Sequence, residues 1–234
     1  MKKKLVVLTG AGVSAESGIS TFRDSDGLWD NYNVEDVASI EGWHRNPELV
    51  MEFYNARRAQ LATVKPNAAH YAIAALEKDW EVTVVTQNVD NLHERAGSTK
   101  IIHLHGELTK VRPENCCNEE DDFSEETVFD IGYDTILIGD HAPNGAQLRP
   151  HIVWFGEAVP CINAAIDVVM DADVLLIVGT SLQVYPAAGL YAFANADTPI
   201  YIIDPADVKV SDGRIRHIKD VATSGMETFV KMLK

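Results

Sequence analysis

The sequence predicts an α/β fold: a Rossmann-like, doubly wound parallel sheet with a smaller second domain formed by two insertions. Short apolar runs recur along the 234 residues, helical patterns separate many of these runs, and a glycine-rich turn follows the first one. Continuous apolar runs are typical of parallel strands that are buried on both faces of a sheet. Strands that alternate with helices over this length indicate a doubly wound sheet.

Six runs are predicted to be buried strands. Each run is apolar or β-branched, is bounded by turn residues and is shorter than a typical helix. In chain order, the predicted strands are residues 4–9, 82–86, 101–104, 152–155, 174–178 and 200–203.

Helices are predicted between these strands. Asn46 can cap a helix whose first residue is Pro47, and the apolar residues after it recur at helical spacing. Ser224 and Glu227 have the spacing of a capping box, so a last helix is expected to begin at Ser224. The other predicted helices cover residues 14–20, 67–78, 162–170 and 186–195.

Two segments interrupt the alternation and are predicted to form the small domain, over the strand ends where open α/β sheets bind ligands. Residues 24–65 are rich in helix signals. Residues 113–147 contain nine acidic and no basic residues between positions 114 and 134, followed by the apolar run 135–138. The larger domain is predicted to comprise residues 1–23, 66–112 and 148–234.

Composition and charge narrow the class of protein. No apolar run approaches the roughly 18 residues of a membrane span, and the N-terminal run is too short for a signal peptide. The three cysteines give no disulfide framework, so we expect a cytoplasmic protein that binds no membrane. The net charge of −15 argues against direct binding to nucleic acid. The oligomeric state is not predicted.

A glycine loop follows the first predicted strand. Gly10, Gly12 and Ala15 have the spacing that lets a backbone approach a pyrophosphate closely, although isolated matches are often structural. The acidic residue that dehydrogenases carry about twenty positions further on is missing. Phe22 and Arg23 follow the loop instead, which favours a cofactor whose ribose takes part in the reaction and disfavours hydride transfer.

Two groups of polar residues follow predicted strands. Gln87, Asn88 and Asp90 can hold ribose hydroxyls or order a water, or they can simply cap a local turn. His105 ends a predicted strand, so its imidazole is a candidate general base in the crevice. His103 lies two residues back and is expected to face the same side. Because a single histidine is more often structural than catalytic, the choice of His105 depends on its neighbours.

Taken in order, these motifs resemble the sirtuins, which are NAD-dependent protein lysine deacylases. The resemblance spans residues 5–222. It is carried by the glycine loop with Ser14, Ser17-Gly18-Ile19, Phe22-Arg23, residues 86–93, His105-Gly106, residues 153–157 and Gly179-Thr180-Ser181.

The resemblance implies NAD as the cofactor and acylated lysines of proteins as the substrates. The acyl oxygen attacks the ribose carbon that bears nicotinamide, and free lysine, nicotinamide and an O-acyl-ADP-ribose are released. His105 is then the base that activates a ribose hydroxyl, and Asn88 orders the ribose and a water. The residues implied to bind NAD are Gly10, Ala11, Gly12, Ser14, Ala15, Phe22, Arg23, Trp29, Gln87, Asn88, Asp90, Gly179, Thr180, Ser181, Asp204 and Ala222.

Substrate-binding residues are implied in the same way. Tyr54 and Arg57, one helical turn apart, resemble the pair that binds the acyl carboxylate in the subgroup that removes succinyl, malonyl or glutaryl groups, and Ala38 matches its pocket-widening residue. The alternative is a core tyrosine beside a solvated arginine. The strand to which the substrate peptide adds is expected at Val153, Trp154, Phe155, Gly156 and Glu157.

The cysteines depart from the family pattern. Most sirtuins carry two C-x-x-C pairs that hold a structural zinc in the small domain. Here Cys116 stands at the second position of the first pair, Pro113 replaces the first cysteine, and no second pair precedes Cys161. One or two thiolates cannot close a tetrahedral site, so no zinc is predicted, and the run 135–138 is expected to pack the module instead.

Two other functions stay open at this point. The chain can instead pass ADP-ribose from NAD to a protein side chain, and the missing zinc ligands make such divergence conceivable. It can also be a non-catalytic NAD-sensing module, although the presence of Asn88, Asp90 and His105 counts against decay of the site.

Overall fold

The computed structural model describes residues 2–19, 32–115, 127–208 and 212–233 and contains a six-stranded parallel sheet and a three-stranded antiparallel sheet. The parallel sheet confirms the predicted fold class. In the described residues, the strands are β1 (Lys4–Thr9), β2 (Glu81–Thr86), β3 (Ile101–His103), β4 (Gly106–Pro113), β5 (Phe129–Asp130), β6 (Leu148–Ile152), β7 (Val174–Val178), β8 (Ile200–Ile203) and β9 (Ile215–Ile218).

The strand order creates a crevice next to the first strand. The parallel sheet has the order β3-β2-β1-β7-β8-β9, so the chain runs outward from β1 and later returns to its other side with β7. At such a switch point, the loops after the two neighbouring strands diverge at the carboxyl edge of the sheet. The two loops here are the glycine loop after β1 and residues 179–181 after β7.

Helices cover both faces of the parallel sheet. In the described ranges, the α-helices are α1 (Gly12–Ala15), α2 (Val34–Val37), α3 (Ile40–Arg45), α4 (Pro47–Thr63), α5 (Ala68–Ala75), α6 (Leu92–Ala96), α7 (Ile162–Met170) and α8 (Ala222–Met232), and 3₁₀ helices cover Leu76–Lys78 and Ala187–Phe193. Leu5 and Val7 of β1 pack with α5 and α8, whereas Val6 and Leu8 pack with α7 on the opposite face. None of these helices has the length and apolar character that crossing a bilayer requires.

The three-stranded antiparallel sheet, in the order β5-β4-β6, packs with α2, α3 and α4 around a separate hydrophobic cluster. The cluster takes Leu108 from β4 and Ile152 from β6, which lie in segments that the sequence assigned to the larger domain. Of the apolar run 135–138, Ile136 is buried in this cluster, while Leu137 and Ile138 are exposed. The boundaries between the larger and the smaller domain stay a prediction.

The prediction that residues 152–155 form a strand of the parallel sheet is wrong. Ile152 ends β6 in the antiparallel sheet, and Phe155 makes only an isolated bridge to Ser39. The physical reason is packing, because the apolar side chains of Ile152 and Trp154 are buried against α3 and α4 and not against the parallel sheet. An apolar run shows that a segment is buried but not which sheet buries it.

One predicted helix start is observed in the structure and another is not. The Asn46 side chain accepts a hydrogen bond from the N–H of Leu49, and Pro47 opens α4, as predicted. The prediction that the last helix begins at Ser224 is wrong, because α8 begins at Ala222 without a side-chain cap. The carboxylate of Glu16 instead accepts hydrogen bonds from the N–H and hydroxyl of Thr223.

Two further predicted helices differ in extent or type. The helix expected over residues 14–20 is only the short α1, and Gly18 lies in the left-handed region with φ of +91°. The segment expected to be helical over residues 186–195 is the 3₁₀ helix Ala187–Phe193.

Candidate active site

A cavity of about 740 Å³ opens at the carboxyl edge of the parallel sheet. This volume lies in the range of cofactor and substrate pockets. Phe22, Arg23 and Trp29, predicted to bind the cofactor, lie outside the described residues, as do Cys116 and Cys117. The predicted site residues that line the cavity are Gly10, Ala11, Gly12, Ser14, Ala15, Ala38, Tyr54, Arg57, Gln87, Asn88, Asp90, His105, Val153, Trp154, Phe155, Gly156, Glu157, Gly179, Thr180, Ser181, Asp204 and Ala222.

The two loops of the switch point touch through glycines. The N–H of Gly12 donates to the carbonyl of Gly179 at 2.9 Å, and a Cβ on Gly12 would lie 2.7 Å from the Cα of Gly179. Gly179 itself has a φ of +64°, which a residue with a side chain rarely adopts. The close approach of the loops therefore requires glycine at both positions and leaves backbone, not side chains, at this part of the cavity wall.

Asn88 and Asp90 belong to a buried hydrogen-bond network. The Asn88 amide donates to the Ser14 hydroxyl at 3.1 Å, and this hydroxyl donates to the Asp90 carboxylate at 2.9 Å. Asp90 also accepts the N–H of Leu92 at 3.0 Å, which is the local capping that the alternative interpretation expected. Burial raises the pKa of Asp90, and the hydrogen bonds from Leu92 and Ser14 oppose the shift. The network fixes both side chains at the cavity wall.

Two histidines that the sequence did not place in the site lie beneath this network. His70 Nε2 is 3.4 Å from the Ser14 hydroxyl, and His93 Nε2 is 3.1 Å from the Thr9 hydroxyl. Their ring centroids are 4.8 Å apart. Burial lowers the pKa of His70 to about 4 and that of His93 to about 3, so both rings are neutral at pH 7. Long-range packing brings the two rings together. His93 ends the motif of residues 86–93 and His70 completes the capping box of α5, but neither pattern predicted a place in the site.

Buried neutral histidines predict that the protein loses stability on acidification. His151 resembles His70 and His93, because burial, followed by the charge of Arg112, lowers its pKa to about 3. These folded-state pKa values lie below the unfolded value of about 6.5, so below that pH the unfolded chain binds more protons. Each histidine then lowers the free energy of unfolding by about 1.4 kcal/mol per pH unit until its folded pKa is reached.

Urea unfolding between about pH 7 and pH 5 measures this effect. The free energy of unfolding should fall as the pH drops below 6.5. His70→Gln should reduce the slope due to the three rings by about one third, which is roughly 1.4 kcal/mol per pH unit. A free energy of unfolding that stays constant over this range would show that the three rings titrate normally.

His105 has the tautomer that a general base needs. Its Nδ1 lies 3.0 Å from the carbonyl oxygen of Gln87. Because a carbonyl only accepts, Nδ1 carries the hydrogen and the neutral ring keeps its lone pair on Nε2. Burial lowers the pKa of His105, with a smaller opposing effect of the Gln87 carbonyl. The imidazole is therefore neutral at pH 7 and lines the cavity.

The prediction that His103 faces the same side as His105 is wrong. Strand β3 ends at His103, so the alternation of side chains does not continue to position 105. His103 Nε2 contacts the Glu94 carboxylate at 2.7 Å, and Nδ1 faces the Asn88 carbonyl at 3.3 Å. Although burial opposes it, the hydrogen bond and the charge of Glu94 raise the pKa of His103.

Tyr54 and Arg57 both reach the cavity from α4. The Trp154 indole N–H donates to the Tyr54 hydroxyl oxygen at 3.0 Å, which leaves the hydroxyl hydrogen able to donate to another group. Burial raises the pKa of Tyr54 to about 12, so the phenol stays protonated. Burial also lowers the pKa of Arg57, and the nearby carboxylate of Asp90 opposes that shift. Ala38, buried nearby, presents only a methyl group to the cavity.

Residues 153–157 line the cavity but do not form the predicted strand. The N–H groups of Val153 and Phe155 already donate to the carbonyls of His105 and Ala38, at 3.0 and 2.9 Å. Gly156 has a φ of +91°, and the N–H of Glu157 closes a turn onto Trp154. The role of this segment in holding a substrate peptide stays a prediction.

Two buried arginines hold this turn in place. Arg149 makes two hydrogen bonds to the Glu157 carboxylate, at 2.6 and 3.0 Å, and Arg112 lies 3.4 Å from it. The Arg149 guanidinium also lies 3.4 Å from the ring centroid of Trp154. Burial alone would raise the pKa of Glu157, but its bonds to Arg149 hold it below the usual value. The Glu157 carboxylate also accepts the N–H of Trp154 at 2.8 Å, so it holds Trp154 in place, and the Trp154 indole in turn holds Tyr54.

Removing this carboxylate's charge is expected to destabilise the fold strongly. Glu157→Gln leaves the guanidinium of Arg149, whose side chain is only 3% exposed, without the carboxylate with which it pairs, and it removes a nearby carboxylate from the buried Arg112. Breaking a buried ion pair in this way costs about 3 kcal/mol or more. Asp207→Asn, which breaks the exposed pair between Lys219 and Asp207, is the control and should cost less than about 1 kcal/mol. If both variants lost the same free energy of unfolding in urea, the stabilising role of the buried ion pairs of Glu157 would be contradicted.

Sequence reasoning missed the cavity residues Gln183, Val184, Tyr185 and Pro186. They follow β7 at the carboxyl edge of the sheet, and this position after a predicted strand is the sequence feature that could have placed them in the site. Val184 and Tyr185 are exposed apolar side chains, which suits a rim that contacts a partner molecule.

Comparisons with known proteins agree on one family. The model of the Sir2 family matches residues 10–186. An NAD-dependent protein deacylase of Bacteroides thetaiotaomicron is 53% identical over 234 residues, covering 99% of this chain and 98% of the relative. A relative of the same name from Helicobacter pylori is 56% identical over 203 residues, covering 87% and 85%. A solved complex of a Sir2 homologue with NAD superposes with a TM-score of 0.86 at 38% identity, covering 99% and 90%.

Proposed function

Since the chain belongs to the Sir2 family and is an NAD-dependent protein lysine deacylase, we propose that it removes succinyl and malonyl groups as well as acetyl groups from lysine. The observation that carries this proposal is the guanidinium of Arg57 in the wall of the cavity that also contains His105. An acetyl group offers no partner for such a charge. A dicarboxylic acyl group ends in a carboxylate that does.

When bound, NAD supplies the electrophilic ribose carbon and the acceptor of the acyl group. We propose that Nε2 of His105 takes a proton from a ribose hydroxyl, since its lone pair is free of the bond to Gln87. Asn88, bonded to Ser14, orients the ribose and a water. Asp90, also bonded to Ser14, holds the carboxamide and the ribose together with Gln87. The remaining cofactor positions are proposed as the sequence predicted them, with the glycine loop and residues 179–181 along the dinucleotide.

The acyl carboxylate is recognised by two groups on one face of α4. Arg57 offers a planar fork of donors that matches a carboxylate, and Tyr54 adds a hydroxyl whose oxygen is already held by Trp154. Ala38 leaves room for the longer chain. Hydrogen bonds to a charged group stabilise a complex by about 1.5–3 kcal/mol each. Such bonds are strong enough to decide between acyl groups.

A panel of lysine peptides tests the proposal. Acetyl, succinyl, malonyl and long-chain acyl versions of one peptide are incubated with NAD, and kcat/KM is compared. The proposal expects succinyl and malonyl peptides to be deacylated with kcat/KM at least equal to that of the acetyl peptide. Turnover of acetyl peptide with no measurable turnover of the two acidic peptides would refute it.

We also propose that no structural zinc closes the small domain. A structural zinc takes four ligands, usually cysteine thiolates. The chain has three cysteines, and Cys161 packs against the parallel sheet at the start of α7. After dialysis against EDTA, elemental analysis should find far less than one zinc per chain. Zinc retained at one equivalent would contradict this proposal.

The cellular setting follows from composition. We propose a cytoplasmic protein that acts on acylated proteins without contacting nucleic acid. The low number of cysteines supports a reducing compartment, and the net charge of −15 disfavours a phosphate backbone as a partner.

A further inference from the structure

A second cluster of metal-ligating side chains lies outside the cavity. Glu94 on α6, His103 at the end of β3 and Glu107 on β4 each offer one ligand atom, and these atoms all lie within 4.8 Å of one another. We call these three residues the Glu-His-Glu cluster. None of them lines the cavity or is used in the deacylation described above.

The imidazole of His103 is oriented as in a metal site. Its Nδ1 faces the carbonyl oxygen of Asn88 at 3.3 Å, and its Nε2 points at Glu94 Oε1, 2.7 Å away. A ligating histidine almost always donates its other ring N–H to a carbonyl or carboxylate, which fixes the tautomer and the ring. The His103 side chain is only 10% exposed, so its rotamer is held by the surrounding protein.

Positive charge already balances the two carboxylates. The Lys110 ammonium lies 2.6 Å from Glu107 Oε2, and a hydrogen on His103 Nε2 bridges to Glu94. A divalent cation at the centre of the cluster would replace that hydrogen and release the flexible lysine side chain to solvent. One imidazole and two carboxylates are a ligand set that suits Mn²⁺, Co²⁺ and Zn²⁺, whereas Mg²⁺ prefers oxygen ligands alone.

We propose that Glu94, His103 and Glu107 form an exchangeable site for a divalent transition-metal ion on the outer side of the active-site wall, with water completing the coordination. Through the bond from His103 to the Asn88 carbonyl, the ion holds the turn that carries the polar cavity residues. Its ligands differ from the thiolates that hold the structural zinc of most sirtuins. It does not depend on which acyl group the enzyme removes.

Co²⁺ titration of the full chain, without NAD or peptide, tests the site. Absorption and calorimetry should show one Co²⁺ per chain with nitrogen and oxygen ligands and no sulfur-to-metal band. The same result is expected after all three cysteines are replaced by serine. His103→Gln, and independently the double variant Glu94→Gln with Glu107→Gln, should weaken binding at least tenfold, while the exposed-histidine control His44→Gln should not.

The melting temperature provides a second readout. A ligand that binds only the folded state raises it, so Co²⁺ should stabilise the unaltered chain and His44→Gln, but neither cluster variant. Absence of saturable binding below millimolar Co²⁺, binding unchanged in His103→Gln, or Mg²⁺ binding as tight as Co²⁺ would each overturn the proposal.

Discussion

His105→Ala is expected to lower kcat/KM for every acyl-lysine peptide by a factor of about 10² to 10⁴, the usual contribution of a positioned general base. The hydrogen on Nδ1 is held by the Gln87 carbonyl, so the variant removes the lone pair that Nε2 presents to the cavity. The effect should be the same for acetyl and succinyl peptides, because the base acts on the ribose and not on the acyl group.

The pH dependence of the unaltered enzyme also tests whether His105 is the base. Since burial lowers the pKa of His105, the acid limb of kcat/KM should have an apparent pKa below 6.5, and activity should be retained at neutral pH. His44→Ala, on the exposed part of α3, is the matched histidine control and should leave kcat/KM unchanged. If His105→Ala keeps more than about a tenth of the activity, the base lies elsewhere.

The parallel sheet could be predicted because its strands are buried on both faces. Val174–Val178 is apolar at every position, and packing on either side of the sheet requires this. Strand β9, Ile215–Ile218, was missed because it lies at the edge of the sheet, where Arg216 and His217 are exposed. A strand of this kind lacks the apolar run on which the prediction depends.

The candidate site was predictable where short motifs follow strands. Gly10 and Gln87 stand directly after β1 and β2, and parallel strands bring their carboxyl ends to one edge. The hydrogen bonds that hold the site residues in place were not predictable, because they join residues far apart in the chain. The contact of Ser14 with His70 and the bond from Trp154 to Tyr54 depend on tertiary packing.

Arg57→Met is expected to reduce kcat/KM for succinyl and malonyl peptides by about 10²- to 10³-fold and to leave deacetylation within a few-fold of normal. The variant keeps an unbranched apolar side chain but removes a fork of donors. Two hydrogen bonds to a charged group, each at about 1.5–2 kcal/mol in the lower part of the usual range, together account for about 3–4 kcal/mol. Each 1.4 kcal/mol corresponds to a factor of ten. Arg57→Lys should recover only part of the loss, since an ammonium cannot bind a carboxylate through a fork.

Tyr54→Phe should show the same selectivity with a smaller effect, about tenfold, because it removes one neutral donor and leaves the Trp154 indole without its acceptor. Arg45→Met is the matched control, because Arg45 is exposed on α3 and pairs with Asp36 across the surface. Melting temperatures of all variants separate lost recognition from lost folding. If a well-folded Arg57→Met lost kcat/KM equally for desuccinylation and deacetylation, Arg57 would maintain the shape of the cavity and would not recognise the acyl group.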